Sequence, residues 1–170
     1  MMVEKFGYSV GDISLLFIIN YVFNLFFAPK IGKFISKIGE RSALTIEYIG
    51  LLVVFVSYAL VENSQIAAGL YVIDHLFFAM AIAVKTYFQK IADDKDFAST
   101  AGVSFTINHI AAVVIPAMLG IVWLSSPSMV FYIGAGFAFC SLCLALNIPN
   151  TPNQGHEVVR NPFNWANTGQ

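Results

Sequence analysis

Six polar side chains stand inside long apolar runs, where an uncompensated charge costs about 2.5 to 3.5 kcal/mol on helix-insertion scales. Asp74 and His75 are adjacent in GLYVIDHLFF, Gly69 to Phe78. Asn108 and His109 share the run FTINHIAAVVIPAMLG, Phe105 to Gly120, with Pro116 seven residues beyond the histidine. Asn20 and Asn24 sit one turn apart in a Phe- and Ile-rich run near the start. A carboxylate and imidazoles at such depth can bind and release protons or contact a solute. Each has a structural alternative as well. Asp74 can be bonded to a neighbouring helix or to His75, and His109 and the two asparagines can bridge helices. At 3.6 residues per turn Asp74, Phe78, Ala81 and Lys85 share one face, but about 1.5 Å per residue holds the acid and the lysine too far apart to pair. Thr106, His109, Val113, Pro116 and Gly120 form a second face, on which Pro116 permits a helix bend.

The elements that must position these groups follow from composition. Of 170 residues 58% are hydrophobic and 11% charged, well under the roughly 25% charged of soluble domains. Five apolar segments, at about 11–28, 43–61, 66–88, 100–124 and 129–148, each approach the roughly 20 residues a helix needs to cross a hydrocarbon core. Backbone groups in lipid must be bonded within their own segment, and the ten-residue alternation of a transmembrane barrel is absent, so the fold class is all-α, a polytopic bundle of about five transmembrane helices. Its first solvent and partner is the lipid bilayer.

Lys30, Lys33, Lys37 and Arg41 lie between spans one and two, Lys85, Lys90 and Lys95 flank the turn between spans three and four, and Arg160 is in the tail. The opposite connections, VENSQ and SSPSM, carry no basic residue, which makes the basic side cytoplasmic. Residues 1–10 are then a short extracytoplasmic segment without the charge pattern of a cleaved signal. The Pro-, Asn- and Gly-rich residues 149–170 read as a mostly disordered cytoplasmic tail, in which Phe163 and Trp165 are chance aromatics rather than membrane anchors.

The basic connection GKFISKIGERSAL has a spacing of its own. Gly32, Lys37, Gly39 and Arg41, with Glu40 between them, resemble the cytoplasmic loop motif of the major facilitator superfamily of secondary transporters. Ser36 occupies that motif's acidic position, and Glu40 stands where a basic residue is common. The segment from Lys85 to Gly120 is similar to the loop and eleventh helix of bacterial drug-efflux or sugar-type facilitators. The resemblance covers nearly all of residues 7–148 and places the five spans on helices eight to twelve, the carboxyl-terminal half.

The resemblance implies alternating access of a small-molecule substrate, with protons as a candidate coupling ion, in a bacterial inner membrane. It implies a cavity lined by the spans that carry Asn20, Asn24, Asp74, His75, Asn108 and His109. Gly32 to Arg41 would be a hinge or gate clamp at the cytoplasmic side, with Glu47 tying down the region around Arg41. It also implies a missing amino-terminal half, without which the chain would not transport. A five-span scaffold or subunit, and an intramembrane enzyme using Asp74, His75 and His109, are the competing readings. Cys140 and Cys143 form a C-x-x-C within an apolar run and read as small filler rather than as a metal or redox pair. No catalytic residue, metal site or cofactor is expected, no nucleic-acid partner, and no phosphate-binding loop or nucleophile elbow is found.

Overall fold

A computed structural model describes residues 2–93 and 97–159. Its helices are α1 (Met2–Phe6), α2 (Val10–Ile38), α3 (Glu40–Leu60), α4 (Ser64–Phe78), α5 (Ile82–Ile91), α6 (Phe97–Ser125) and α7 (Pro127–Ala145). A single 3-10 turn, Ala79–Ala81, joins α4 to α5, so these form one membrane-length rod of 28 residues. With α2, α3, α6 and α7 this makes five helices long and apolar enough to cross a membrane. The protein is an integral membrane protein, an all-α bundle with no strand among the described residues.

The best-buried helix is α3, seated between α7 on one side and α4 on the other. Small residues let it approach both. On α7 the buried Phe131, Ala135, Ala138 and Ala145 recur at helical spacing along one face, and the Phe55 ring of α3 lies in van der Waals contact with the position a Cβ on Gly134 would take. Tyr58 stacks on Phe131 with ring centroids 5.2 Å apart, and Ser128 donates to the Ala59 carbonyl at 3.1 Å. On the other side the Phe77 ring of α4 occupies the notch at Gly50.

At one end of the bundle α1 plugs the core. Met2 and Phe6 pack with Val54, Tyr58, Ala59, Ala67 and Phe131. Lys5 Nζ donates to the Tyr58 carbonyl, Tyr8 to the Ser64 carbonyl, and Trp123 Nε1 to Glu4 Oε2 at 2.6 Å. The short segment ahead of the first span thus holds a packed helix, α1, and is anchored by side-chain hydrogen bonds at Glu4, Lys5 and Tyr8.

The basic end differs more from expectation. The connection read as a loop is helical up to Ile38, and the chain turns at one residue, Gly39, with φ +83°. Gly39 tolerates that left-handed angle because it lacks a Cβ. Gly32 and Lys37 thus ride on the last turns of α2, while Glu40 and Arg41 open α3. The reason is helical spacing: Ile31, Ile35 and Ile38 face a cluster of Ala43, Leu44, Met80, Ala83, Ala145 and Ile148, leaving the lysines outside.

Residues 149–159 of the expected disordered tail are folded. Pro149 is fully buried, Val159 N–H donates to the Asn147 carbonyl, Gln154 Nε2 to the Ala92 carbonyl, and the Tyr87 hydroxyl to the Glu157 carbonyl. The apolar Ile148 and Pro149 have a core to join, which outweighs the turn-forming composition around them. Residues 160–170, with Arg160, Phe163 and Trp165, lie outside the described residues, as does Lys95.

Glu40 is 3% exposed and accepts an ion pair from Lys90 Nζ at 2.6 Å, tying the start of α3 to the end of α5. Truncating Lys90 strands that carboxylate. Because Lys90 is itself half exposed, Lys90→Ala is expected to cost about 1–2 kcal/mol, less than a fully buried pair would. Thermal unfolding in detergent checks this, and Lys90→Met combined with Glu40→Gln should recover most of the loss.

Candidate functional site

Asn20 and Asn24 stack on one face of α2, and Phe23 and Phe27 on the next, all at i and i+4. The two phenylalanine rings lie parallel, 5.4 Å apart. Val72, Ile73, His75 and Leu76 of α4 face them across a cleft of about 170 Å³. Three of the polar residues singled out in the sequence therefore meet in one place.

Asn20 is the buried member, 4% exposed. Its amide lies close to the Tyr71 phenol, yet neither Nδ2 nor Oδ1 makes a hydrogen bond of good geometry. A buried amide without partners is costly, on the order of 1–3 kcal/mol for the unsatisfied group. His75 is held differently. Its Nδ1 is 2.9 Å from the Tyr71 carbonyl, which makes that nitrogen the N–H donor, and its ring rests on Tyr71 at 4.4 Å. Nε2 remains as its other polar atom.

Asp74, next along α4, is not part of the cleft lining. Its Oδ2 is 3.8 Å from His75 Nδ1, too long for a hydrogen bond, and the carboxylate lies within electrostatic reach of the Tyr58 and Tyr71 phenols. It belongs to the α3 side of α4 rather than to the cleft. The stripe drawn from Asp74 through Phe78 and Ala81 to Lys85 is interrupted by the 3-10 turn Ala79–Ala81, which changes the rotation per residue.

Asn108 and His109 are on α6, which packs chiefly against α7 and has no buried side chain among its described residues. Both are exposed. His109 turns back on its own helix, with Nδ1 3.0 Å from the Phe105 carbonyl and its ring 3.9 Å from the Phe105 ring, and Thr106 likewise donates to the Gly102 carbonyl. Neither joins Asn20, Asn24 and His75. Pro116 lies within the continuous helix α6.

At the basic end Glu47 does not hold Arg41. Arg41 Nη1 meets Asn150 Oδ1 at 3.4 Å, whereas Glu47 is 2% exposed with Oε2 unpartnered. The six-residue separation along α3 is about 1.7 turns, or about 9 Å of rise, which puts the two groups at different depths. The cross-helix ion pair at this end is made by the motif's Glu40, not by Glu47. Sequence reasoning used Lys90 only as a mark of the basic side, and it passed over Phe23 and Phe27, whose repetition with the asparagines at i+4 was the available signal.

A family profile for the Major Facilitator Superfamily matches residues 1–167. The chain belongs to the Major Facilitator Superfamily. An uncharacterized MFS-type transporter of Methanocaldococcus jannaschii is 29% identical over 136 residues, covering 78% of this chain and 34% of that protein. The chain thus spans about a third of the relative it matches. No solved structure matches it. Among the described residues no group of three or more His, Cys, Asp or Glu side chains is placed to hold a metal ion. Cys140 and Cys143 are free and exposed on α7.

Proposed function

We propose that this superfamily member takes part in moving a small solute across a membrane by alternating access, with the α2–α4 cleft as part of the solute path. The observation that carries the reading is the convergence of Asn20, Asn24 and His75 on one cleft at mid-span, whose other lining residues are apolar. Polar groups at that depth are costly unless they meet a partner, and a passing solute is such a partner. In transporters of this kind the site lies near the bilayer midplane, between two bundles that rock about it. Here a second helical bundle would close the cleft from the side of α2 and α4 that is now open.

The basic end, with Lys30, Lys33, Lys37, Arg41, Lys85 and Lys90, faces the cytoplasm in this reading, in keeping with the positive-inside rule. A proton is the candidate coupling ion, with Asp74 and His75 as the groups to carry it. Asn108 and His109 act as polar contacts only if α6 is drawn toward the second bundle, and Pro116 is the point at which that helix could bend.

Native membrane vesicles test the proposal. Uptake of labelled sugars, amino acids and aromatic amides is compared between the wild type and a chain carrying Asn20→Leu, Asn24→Leu and His75→Leu. For at least one solute, saturable uptake is expected to fall several-fold, as the loss of two or three solute hydrogen bonds implies. Unchanged uptake of every solute would remove the cleft from the path.

A further inference from the structure

We infer that residues 147–159 form a latch that holds α5 shut at the basic end of the bundle, and that α5 swings about the 3-10 turn Ala79–Ala81 when the latch lets go. The device does not depend on the solute path proposed above. It concerns how one end of the bundle opens, whichever solute passes.

The rod made by α4 and α5 changes its helical repeat at Ala79–Ala81, and a short 3-10 stretch inside a longer helix often marks a hinge. Packing pins the chain up to and within that turn. Phe77 fills the notch at Gly50, and Met80 is buried with Ile35, Ala43 and Leu44. Beyond the turn the apolar anchoring runs out. Among the described residues of α5 only Ala83 is buried, in the first turn, while Tyr87 rests half-buried against the same cluster. A cleft of about 300 Å³ lies between α5, α3 and α7, lined by Leu44, Tyr48, Val84, Tyr87, Leu144 and Val158. A close-packed element resists movement because every contact must be remade. The far part of α5 is not packed in that way.

Polar bonds hold it instead. The Tyr87 hydroxyl donates to the Glu157 carbonyl at 2.6 Å, Gln154 Nε2 donates to the Ala92 carbonyl at 2.9 Å just past the helix, and Lys90 Nζ reaches Glu40 at 2.6 Å. The first two come from the 147–159 segment. Hydrogen bonds at a half-exposed surface contribute little net free energy, because water can replace either partner. An element closed mainly by such bonds opens as a local unit while the packed core stays intact.

The latch itself is firmly seated. Ile148 and Pro149 are buried, and Val159 N–H donates to the Asn147 carbonyl at 2.8 Å, which closes the segment into a compact loop. Gly155, at φ +84°, allows the tight turn that brings His156 N–H to the Asn153 carbonyl, and its own N–H donates to Glu157 Oε1 at 2.7 Å. Arg41 Nη1 meets Asn150 Oδ1 at 3.4 Å and ties the loop to the start of α3. The loop is thus fixed to α3 and α7 and reaches across to α5, the geometry of a clasp with one releasable side.

Amide hydrogen exchange, read by mass spectrometry on the full chain in lipid nanodiscs, tests the inference. In a chain carrying Tyr87→Phe and Gln154→Ala, the amides of α5 are expected to exchange about tenfold faster or more, as the loss of two hydrogen bonds implies. Those of α3 and α4 should keep their wild-type rates, with the boundary at Ala79–Ala81. Gln89→Ala, exposed on α5 and outside these ties, should leave α5 exchange as it is. If the double variant does not fold, Tyr87→Phe alone, which removes one oxygen atom, is expected to give the same confined effect at a few-fold. Unchanged α5 exchange would mean that the 147–159 segment does not hold the helix and would overturn the inference. So would equal acceleration of α3, α4 and α5, since the whole end would then loosen together without a hinge.

Discussion

Replacing Gly50 with leucine is expected to destabilise the bundle by about 2–3 kcal/mol, the upper range for forcing volume into a packed interior. Even the first added carbon would meet the Phe77 ring, which fills the notch that Gly50 leaves in α3. Phe77 packs against both hydrophobic clusters, so its displacement disturbs the plugged end and the basic end together. Gly50→Ala is the milder form of the same insult. If the ring is the obstacle, Gly50→Ala should be better tolerated in a Phe77→Ala background than in the wild type, a coupling of the sort that neighbouring residues show. Thermal aggregation midpoints in detergent for the four proteins give the comparison. Equal effects of Gly50→Ala in both backgrounds would mean that α3 and α4 do not meet through this notch.

The spans and the segregation of charge were legible because lipid imposes a blunt requirement. A helix must be long and apolar, and the five segments are. Packing specificity was less legible. The basic connection looked like a loop because its lysines and glycines dominate the composition, although Ile31, Ile35 and Ile38 already carried the helical period that extends α2 to Ile38. The tail shows the same conflict. Pro, Asn and Gly signal a turn, and a turn it is, but one pinned by buried Pro149 and by bonds to Ala92 and Tyr87 that no local pattern announces.

The candidate site was legible in part for the same reason. Asn20 and Asn24 declare a shared face through their spacing, and the structure keeps it. Asp74 and His75 are neighbours in sequence, about 100° apart around a helix, so they point into different surroundings. One lines the cleft and the other faces the tyrosines of α3 and α4. His109 looks equivalent to His75 by depth, yet α6 holds it apart, and helix neighbourhood is a tertiary property that periodicity does not encode. Glu40 and Lys90, fifty residues apart, are joined only by the fold.

Under the proposed alternating access the Asn20–Asn24–His75 cleft opens to water in turn from the two sides of the membrane, and cysteine alkylation measures this directly. Asn24→Cys is placed in a Cys140→Ser, Cys143→Ser background, since both native thiols are exposed. Phe26→Cys, exposed on α2 and absent from the cleft lining, is the comparison. A maleimide that does not cross membranes reacts with hydrated, ionisable thiols, so the residue-24 thiol should label at least about tenfold faster than the residue-26 thiol. The reaction should occur in both right-side-out and inverted native vesicles. Labelling at position 24 no faster than at position 26, from either side, would contradict the account.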